Sequence, residues 1–592
     1  VGNLAEALDL LWVGKDEEGR PFISEVDRET VVRDLICEAL FTFTHWEGIN
    51  NKVAGCRVGE VAFGRFLGIP KYVHKGVEGF EPYLKGFFKF DGSTAEGASY
   101  YQYAVSNVRK LPEVARGYTD PPSYRRKDRF DNLDLYASEG TYGTVLKARM
   151  LMTLPDGRHP ITADAIKCGP GWPEPAWLHN VGLVRLGKAF APFVWLDSGD
   201  EFAFFNRPAR LKPASPPQVE DMFFPGWLQA IFNTGYERMF QGDLSGTATF
   251  LMNFYEPEGH DHPDALNIAM YAEGVEVLSD LGYIGDHPLN ASIRSTLKHN
   301  LVVIDEQEQL MRGVRPPGNL RLIGVSPDVK VIQADCQAYS EAEVYSRSVV
   351  MVHRGKGPAY LVDCFRVKGG KTHDYAIHGE GRMSHFPVDE KGKAIPLKKQ
   401  PGVLGKDIEK LQIGEPDSIW SATWTEEEMT MRMQMISPVE EVIVGEGPGQ
   451  RTQVEIGVRS DFLFARCTEG GEGNAFVTVI DHYRHHPEIA EVKSLGLPEG
   501  TEGAAAVKVT RHGGSDIVIQ SDSIVDGVFG EVEFTGKVAV FNRERSKRMS
   551  LFMLEGTRFE SNELSVSLDC DSMEGEVVSF EGSTFQSDGT IS

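Results

Sequence analysis

Apolar residues recur at helical spacing up to about residue 235, and from Tyr236 onward short β-rich runs follow one another with no helical pattern between them. That single change of texture excludes alternating strand–helix units and leaves an α+β, multidomain chain. In the first part, Val31, Val32, Leu35, Ile36, Ala39, Leu40 and Phe43 form the apolar stripe of an amphipathic helix. Looser versions over 52–67, 96–108 and 133–152, punctuated by Pro121-Pro122 and Gly169-Pro170-Gly171, predict several helices in a toroid or bundle. The later runs (247–255, 301–305, 348–353, 359–367, 429–436, 453–458 and 475–480) are separated by Gly, Pro and Asp, as in antiparallel sandwich sheets. A chain of 592 residues exceeds one hydrophobic core. The expected division is 1–235 helical, 236–490 β-sandwich and 491–592 a C-terminal β region that either closes the sandwich or forms a sheet of its own.

A formal net charge of −25 argues against nucleic acid as a partner, since phosphate binding needs a basic footprint. A polyanion substrate would need its positive charge concentrated locally. Arg125, Arg126, Lys127 and Arg129 are one such cluster, and a solvated loop is the plainer account of them. No apolar run approaches the roughly 18 residues of a membrane span, so no membrane partner is expected. Val1 is followed by neither a basic nor an apolar leader segment, so these residues contain no signal peptide. Seven cysteines (37, 56, 168, 336, 364, 467 and 570), without paired spacing, are expected to be buried small hydrophobes.

The chemistry-bearing stretch is Gly259-His260-Asp261-His262-Pro263-Asp264, followed by Asp280-Leu281-Gly282 and Lys298-His299-Asn300. His262, Asp280 and His299 offer the mixed nitrogen and oxygen donors that suit a divalent ion, zinc first, with manganese or calcium as alternatives. Ordinary polar packing explains the same residues, and spacing alone does not choose.

Together with Asn50-Asn51, Asp91-Gly92, the run Glu96-Gly97-Ala98-Ser99-Tyr100-Tyr101, and Tyr360-Leu361-Val362-Asp363 followed by His373 and His378, this stretch resembles the heparinase II/III-type polysaccharide lyases. The resemblance spans roughly 45–380. It implies an incomplete (α/α) toroid followed by antiparallel β-sandwich domains, and β-elimination on a uronic-acid-containing acidic polysaccharide. Glycosaminoglycans of the hyaluronan, chondroitin or heparan type are the expected substrates, with alginate or another uronate polymer as the alternative. By resemblance, Asn50 and Asn51 neutralise the uronate carboxylate, Tyr101 and His260 move the protons, and His45, Glu96 and Tyr103 line the substrate. His262, Asp280 and His299 would hold a structural divalent metal. A periplasmic or secreted location follows from the same likeness, and a second copy of the chain is the other candidate partner.

Three departures from the family pattern matter. Asn51 stands where many relatives have histidine, leaving either Asn51 or His45 to take up carboxylate binding. Tyr100, Tyr101 and Tyr103 crowd one helix, so the assignment of Tyr101 carries an error of two positions. The Asn pair also comes early, which by resemblance implies a toroid that is truncated or unusually short. A uronyl C5-epimerase needs the same groups, and a polysaccharide-binding module that has lost activity keeps the same fold. His373 and His378 read most simply as histidines that satisfy sheet hydrogen bonds.

Overall fold

The computed structural model describes the whole chain except residues 1, 95, 125–126, 137–139, 155–156, 168–175, 195–199, 213–216, 240–242, 256–258, 312, 469, 471–472, 502, 568–576, 582–583 and 588–592. Arg125, Arg126, the 169–171 punctuation, Cys168 and Cys570 therefore lie outside the described residues. The chain divides into two compact units, one of 1–153 with 173–218 and one of 154–172 with 219–592.

The first unit is helical. The expected helix over 28–44 runs as Glu25–Thr30, a π-helical stretch Val31–Cys37 and Glu38–His45. The central element is Val53–Phe66, most of whose residues are buried. It packs against Pro70–Glu78 at close range, because a Cβ on Gly76 would lie 2.7 Å from the Arg57 carbonyl oxygen. Any side chain there forces the helices apart, at a cost of about 1–3 kcal/mol. Pro70 opens the second helix, where its missing N–H costs nothing. The helix expected over 133–152 is only Thr141–Met152. Leu133 instead exchanges backbone hydrogen bonds with Gly117 and Tyr118, and the Asp134 carboxylate accepts from the Tyr136 N–H, which commits those residues to a turn.

The second unit is built from antiparallel sheets. Five strands, Met222–Phe224, Gln229–Thr234, Ala248–Asn253, Ile268–Ala272 and Val275–Leu278, pair in chain order. The first two precede the expected boundary at 235, and residues 154–172 also join this unit. Strands of three and six residues are too short to stand out from a helical background. A six-stranded sheet ends on His373–Ile377 paired with Val302–Ile304. An eight-stranded middle sheet runs from Arg382–Asp389 to Asn319–Val325, with Tyr360–Lys368 inside it.

Tyr360–Lys368 is apolar on both faces for a physical reason. Leu361, Phe365 and Val367 enter the main core, while Tyr360, Val362 and Cys364 enter a second core shared with Val507, Val518 and Val538. Those last residues belong to the sheet that begins at Ile489–Ser494, so the C-terminal region forms a sheet of its own that covers the middle one. Tyr360 donates across that core to Asp516 Oδ2 at 2.8 Å, where Arg511, Arg354 and Asn542 also converge. Burial raises the Asp516 carboxyl, and the two guanidinium charges with their hydrogen bonds outweigh it and hold it below its usual value. The described cysteines are free thiols; Cys56, Cys336, Cys364 and Cys467 are buried, whereas Cys37 is exposed.

Candidate metal centre and proton-transfer site

Within the β unit, the loop after Ala248–Asn253 carries His260 and His262, and the turn before Val302–Ile304 carries His299. Asp164, from the 154–172 segment, receives both loop histidines on one carboxylate. His260 Nδ1 lies 2.9 Å from Asp164 Oδ2, and His262 Nε2 lies 3.1 Å from Asp164 Oδ1. Arg294 supports the same carboxylate at 3.2 Å and donates to the Asp261 carbonyl at 2.7 Å. Burial pushes the Asp164 carboxyl up, but the hydrogen bonds from His260 and His262 and the neighbouring charges prevail and hold it below the ordinary carboxylate value. An ionised carboxylate only accepts, so His260 carries a proton on Nδ1 and His262 carries one on Nε2.

The same logic fixes His299. Its Nδ1 lies 3.0 Å from the Ser295 carbonyl, which cannot donate, so Nδ1 bears the proton. The two remaining nitrogens, His262 Nδ1 and His299 Nε2, then face each other at 3.3 Å with their lone pairs opposed. Asp280 Oδ2 lies 3.9 Å and Asp264 Oδ2 4.0 Å from the same His299 nitrogen. His262, Asp280 and His299 are all buried, and their ligand atoms lie within 4.8 Å of one another. Two opposed lone pairs beside carboxylates repel in the dry interior, and a divalent cation resolves that repulsion. Each imidazole already donates its other N–H to a carboxylate or a carbonyl, the usual support of a metal-ligating histidine. The donor set therefore fits zinc, with three protein ligands.

The support continues outward. Asn267 donates to Asp280 Oδ2 at 2.8 Å, and the Asn300 N–H donates to Asn267 Oδ1 at 2.9 Å. Arg347 clamps the carbonyls of Leu266 and Asn300 while gripping Asp363 through two hydrogen bonds of 2.8 and 2.7 Å. Asp363 of the Tyr360-Leu361-Val362-Asp363 stretch is thus a buried strut for the ligand loop. His373 and His378 are satisfied structurally: His373 Nε2 meets the Gly369 carbonyl at 2.7 Å and His378 Nε2 the Lys298 carbonyl at 2.9 Å.

Exposure separates the histidines by task. The His262 side chain keeps 0% of its surface exposed and the His260 side chain 28%, so only the latter can meet a substrate.

The expected groups in the helical unit are placed less uniformly. Asn50 is exposed, and its Oδ1 accepts from the N–H groups of Lys52 and Val53 at the start of Val53–Phe66, which leaves its amide Nδ2 as the donor end. Asn51 is half-buried, and its carbonyl accepts from Asn107 at 2.9 Å. His45 is exposed; Phe41 holds its Nδ1 by the carbonyl at 2.6 Å and packs its ring 4.3 Å away. Glu96 precedes Gly97–Val108 but makes no side-chain capping bond to it. Tyr101 departs from the expectation. It is 0% exposed, with its hydroxyl between the carbonyls of Gly92 and Val145 and its ring under Arg149, so in this structure its phenol is packed inside the helical unit. Tyr100 is half-buried, and Tyr103 is exposed.

Comparison with known proteins agrees with this architecture. Residues 230–395 match the family model described as heparinase II/III-like, C-terminal. The fold is similar to that of heparan sulfate lyase HepC from Pedobacter heparinus, at 15% identity and a TM-score of 0.56 over 88% of this chain and 72% of that one. It is also similar to a heparinase III, at 13% identity and a TM-score of 0.59 over 88% and 74%. A further heparinase III gene product, with methylated lysines, aligns at 13% identity and a TM-score of 0.60 over 88% and 72%. No curated protein sequence matches the chain.

Proposed function

We propose that this chain, whose residues 230–395 are a heparinase II/III-like C-terminal domain, is a polysaccharide lyase that cleaves a uronic-acid-containing glycosaminoglycan by β-elimination. The observation that carries the reading is His260, part-exposed and tied through Nδ1 to a buried carboxylate that also holds a candidate metal ligand. A part-exposed histidine fixed in one tautomer suits proton transfer at the C5 position of a uronate. The elimination takes the C5 proton, breaks the C4–oxygen bond and leaves a 4,5-unsaturated uronate.

His262, Asp280 and His299 would hold the divalent cation, which supplies fixed positive charge that braces the loop of His260. Asn50 and Asn51 supply amide donors to the substrate carboxylate. The phenol for the leaving oxygen comes from Tyr100 or Tyr103 in place of the buried Tyr101. The acidic substrate is a polymer of extracellular matrices and envelopes, and we place the protein in the periplasm or outside the cell.

The test is incubation of the purified chain with hyaluronan, chondroitin sulfate, heparan sulfate and alginate, with ultraviolet absorbance of the unsaturated product as the readout. Absorbance on a glycosaminoglycan is expected. Absorbance on alginate alone moves the substrate class, deuterium uptake at C5 without absorbance indicates epimerisation, and binding without either overturns the enzyme reading.

A further inference from the structure

The helical unit contains a second histidine–carboxylate cluster that the lyase reading does not use. His74, on Pro70–Glu78, is 0% exposed. Its Nε2 lies 2.8 Å from Asp120 Oδ2, and Asp120 also accepts from the Tyr118 hydroxyl at 2.9 Å and the Phe130 N–H at 2.7 Å. A carboxylate with three donors around it is an acceptor only, so the His74 proton sits on Nε2 and Nδ1 presents a lone pair. That buried Nδ1 makes no hydrogen bond. Its neighbour is Glu78 Oε1 at 3.4 Å, one turn along the same helix. Asp128, from the adjoining loop, completes a set of ligand atoms that lie within 4.8 Å of one another. The ring is held in this orientation by Phe130, stacked at 4.1 Å, and by Tyr124 at 4.9 Å.

We propose that His74, Glu78 and Asp128 form a second divalent-cation site, of one imidazole and two carboxylates, that clips the 120–131 loop to the helix Pro70–Glu78. A zinc ion about 2.0–2.2 Å from each donor sets tetrahedral donor pairs roughly 3.3–3.6 Å apart, which the Nδ1–Oε1 separation of 3.4 Å meets without rearrangement. The Asp128 and Glu78 side chains are exposed. Asp120 then plays the part toward His74 that Asp164 plays toward His262, fixing the proton on the far nitrogen. The alternative occupant of the gap is a proton, with His74 as an imidazolium between Asp120 and Glu78.

The experiment is titration of the metal-stripped full chain with Zn2+ alone, by calorimetry and by amide hydrogen exchange over 120–131. Wild-type protein is expected to bind Zn2+ at this site and to exchange the loop amides at least about tenfold more slowly once it has bound. Glu78→Gln and Asp128→Asn, both surface substitutions, should each weaken one class of Zn2+ site by about tenfold or more and remove the loop protection. Unchanged Zn2+ stoichiometry and affinity in both variants would overturn the site. So would nitrogen chemical shifts showing both His74 ring nitrogens protonated with Zn2+ present. None of these readouts involves the lyase reaction, so the failure of one reading leaves the other standing.

Discussion

The clusters around Asp164 and Asp120 solve one problem on two kinds of frame. In each, a buried carboxylate takes the proton-bearing nitrogen of a histidine and turns the other nitrogen toward further candidate ligands, His299 and Asp280 in one and Glu78 and Asp128 in the other. Around Asp164 every candidate ligand is buried and braced from β-strands through Asn267, Asn300 and Arg347. Around Asp120 only the histidine is buried, and both carboxylates stand on an exposed helix end and a loop. Rigidity on all sides suits a centre that must hold a reacting loop in place, whereas a half-exposed set suits a cation that comes and goes. The Asp164 carboxylate also serves two histidines, and so connects a candidate ligand with a candidate acid–base group.

The sharpest way to break this contrast is at His260. His260→Ala should lower turnover by about 10²–10⁴-fold, measured as the rate of unsaturated product, while leaving Zn2+ binding at His262 and His299 intact. Loss of metal together with activity would make His260 a structural partner of the centre.

Asp164→Asn comes next. An amide cannot accept from both His260 and His262, so one imidazole must shift its proton. Zn2+ affinity at the His262 site should fall about 10–100-fold, or roughly 1.4–2.7 kcal/mol. If Asp164→Asn leaves that affinity unchanged, the parallel between the two clusters fails.

The smallest effect concerns the frames themselves. Burial lowers His482 and His378 in the β unit, and His179 in the helical unit, to about 4. Histidines depressed from an ordinary value near 6.5 stabilise the fold fully above that value, and the contribution drains away as pH falls toward 4. Between pH 7 and 5.5 each should cost about 1 kcal/mol, read by hydrogen exchange as a larger loss in the β unit, whose described residues include these two and His373, also lowered by burial, than in the helical unit, whose described residues include His179. Equal losses would mean that the β frame has no special dependence on keeping its histidines neutral.

Much of the β unit was legible in the sequence, because alternation and turn residues mark strands such as Met429–Met435 directly. The trio His262, Asp280 and His299 was legible as a donor set, whereas the opposed nitrogens that let it fit a cation appear only in the geometry. Asp164 was not legible, because it lies 96 residues before His260 and its own segment has no periodicity. His74 was hidden for the same reason: its partners at Asp120 and Asp128 reach it through a loop. Tyr101 misled because a helix pattern reports which residues are apolar-facing but not which phenol points at a carbonyl. The strand Gln229–Thr234 was absorbed into the helical background because six residues give periodicity too little room.

The route of the backbone has a temporal consequence. The chain leaves the helical unit at residue 154, contributes 154–172 to the β unit, and returns for 173–218 before the main β region begins. Asp164 therefore emerges from the ribosome well ahead of the histidines that need it, by 96 residues for His260. At synthesis rates of about 5–20 residues per second, it waits roughly 5–20 s for its first partner. Every residue of the helical unit precedes residue 219, so that unit can be complete before the main β region is made, and no single cut in the chain separates the two units cleanly. Maturation of the centre is thus a late event, set by the clock of translation as much as by the energetics of the finished fold.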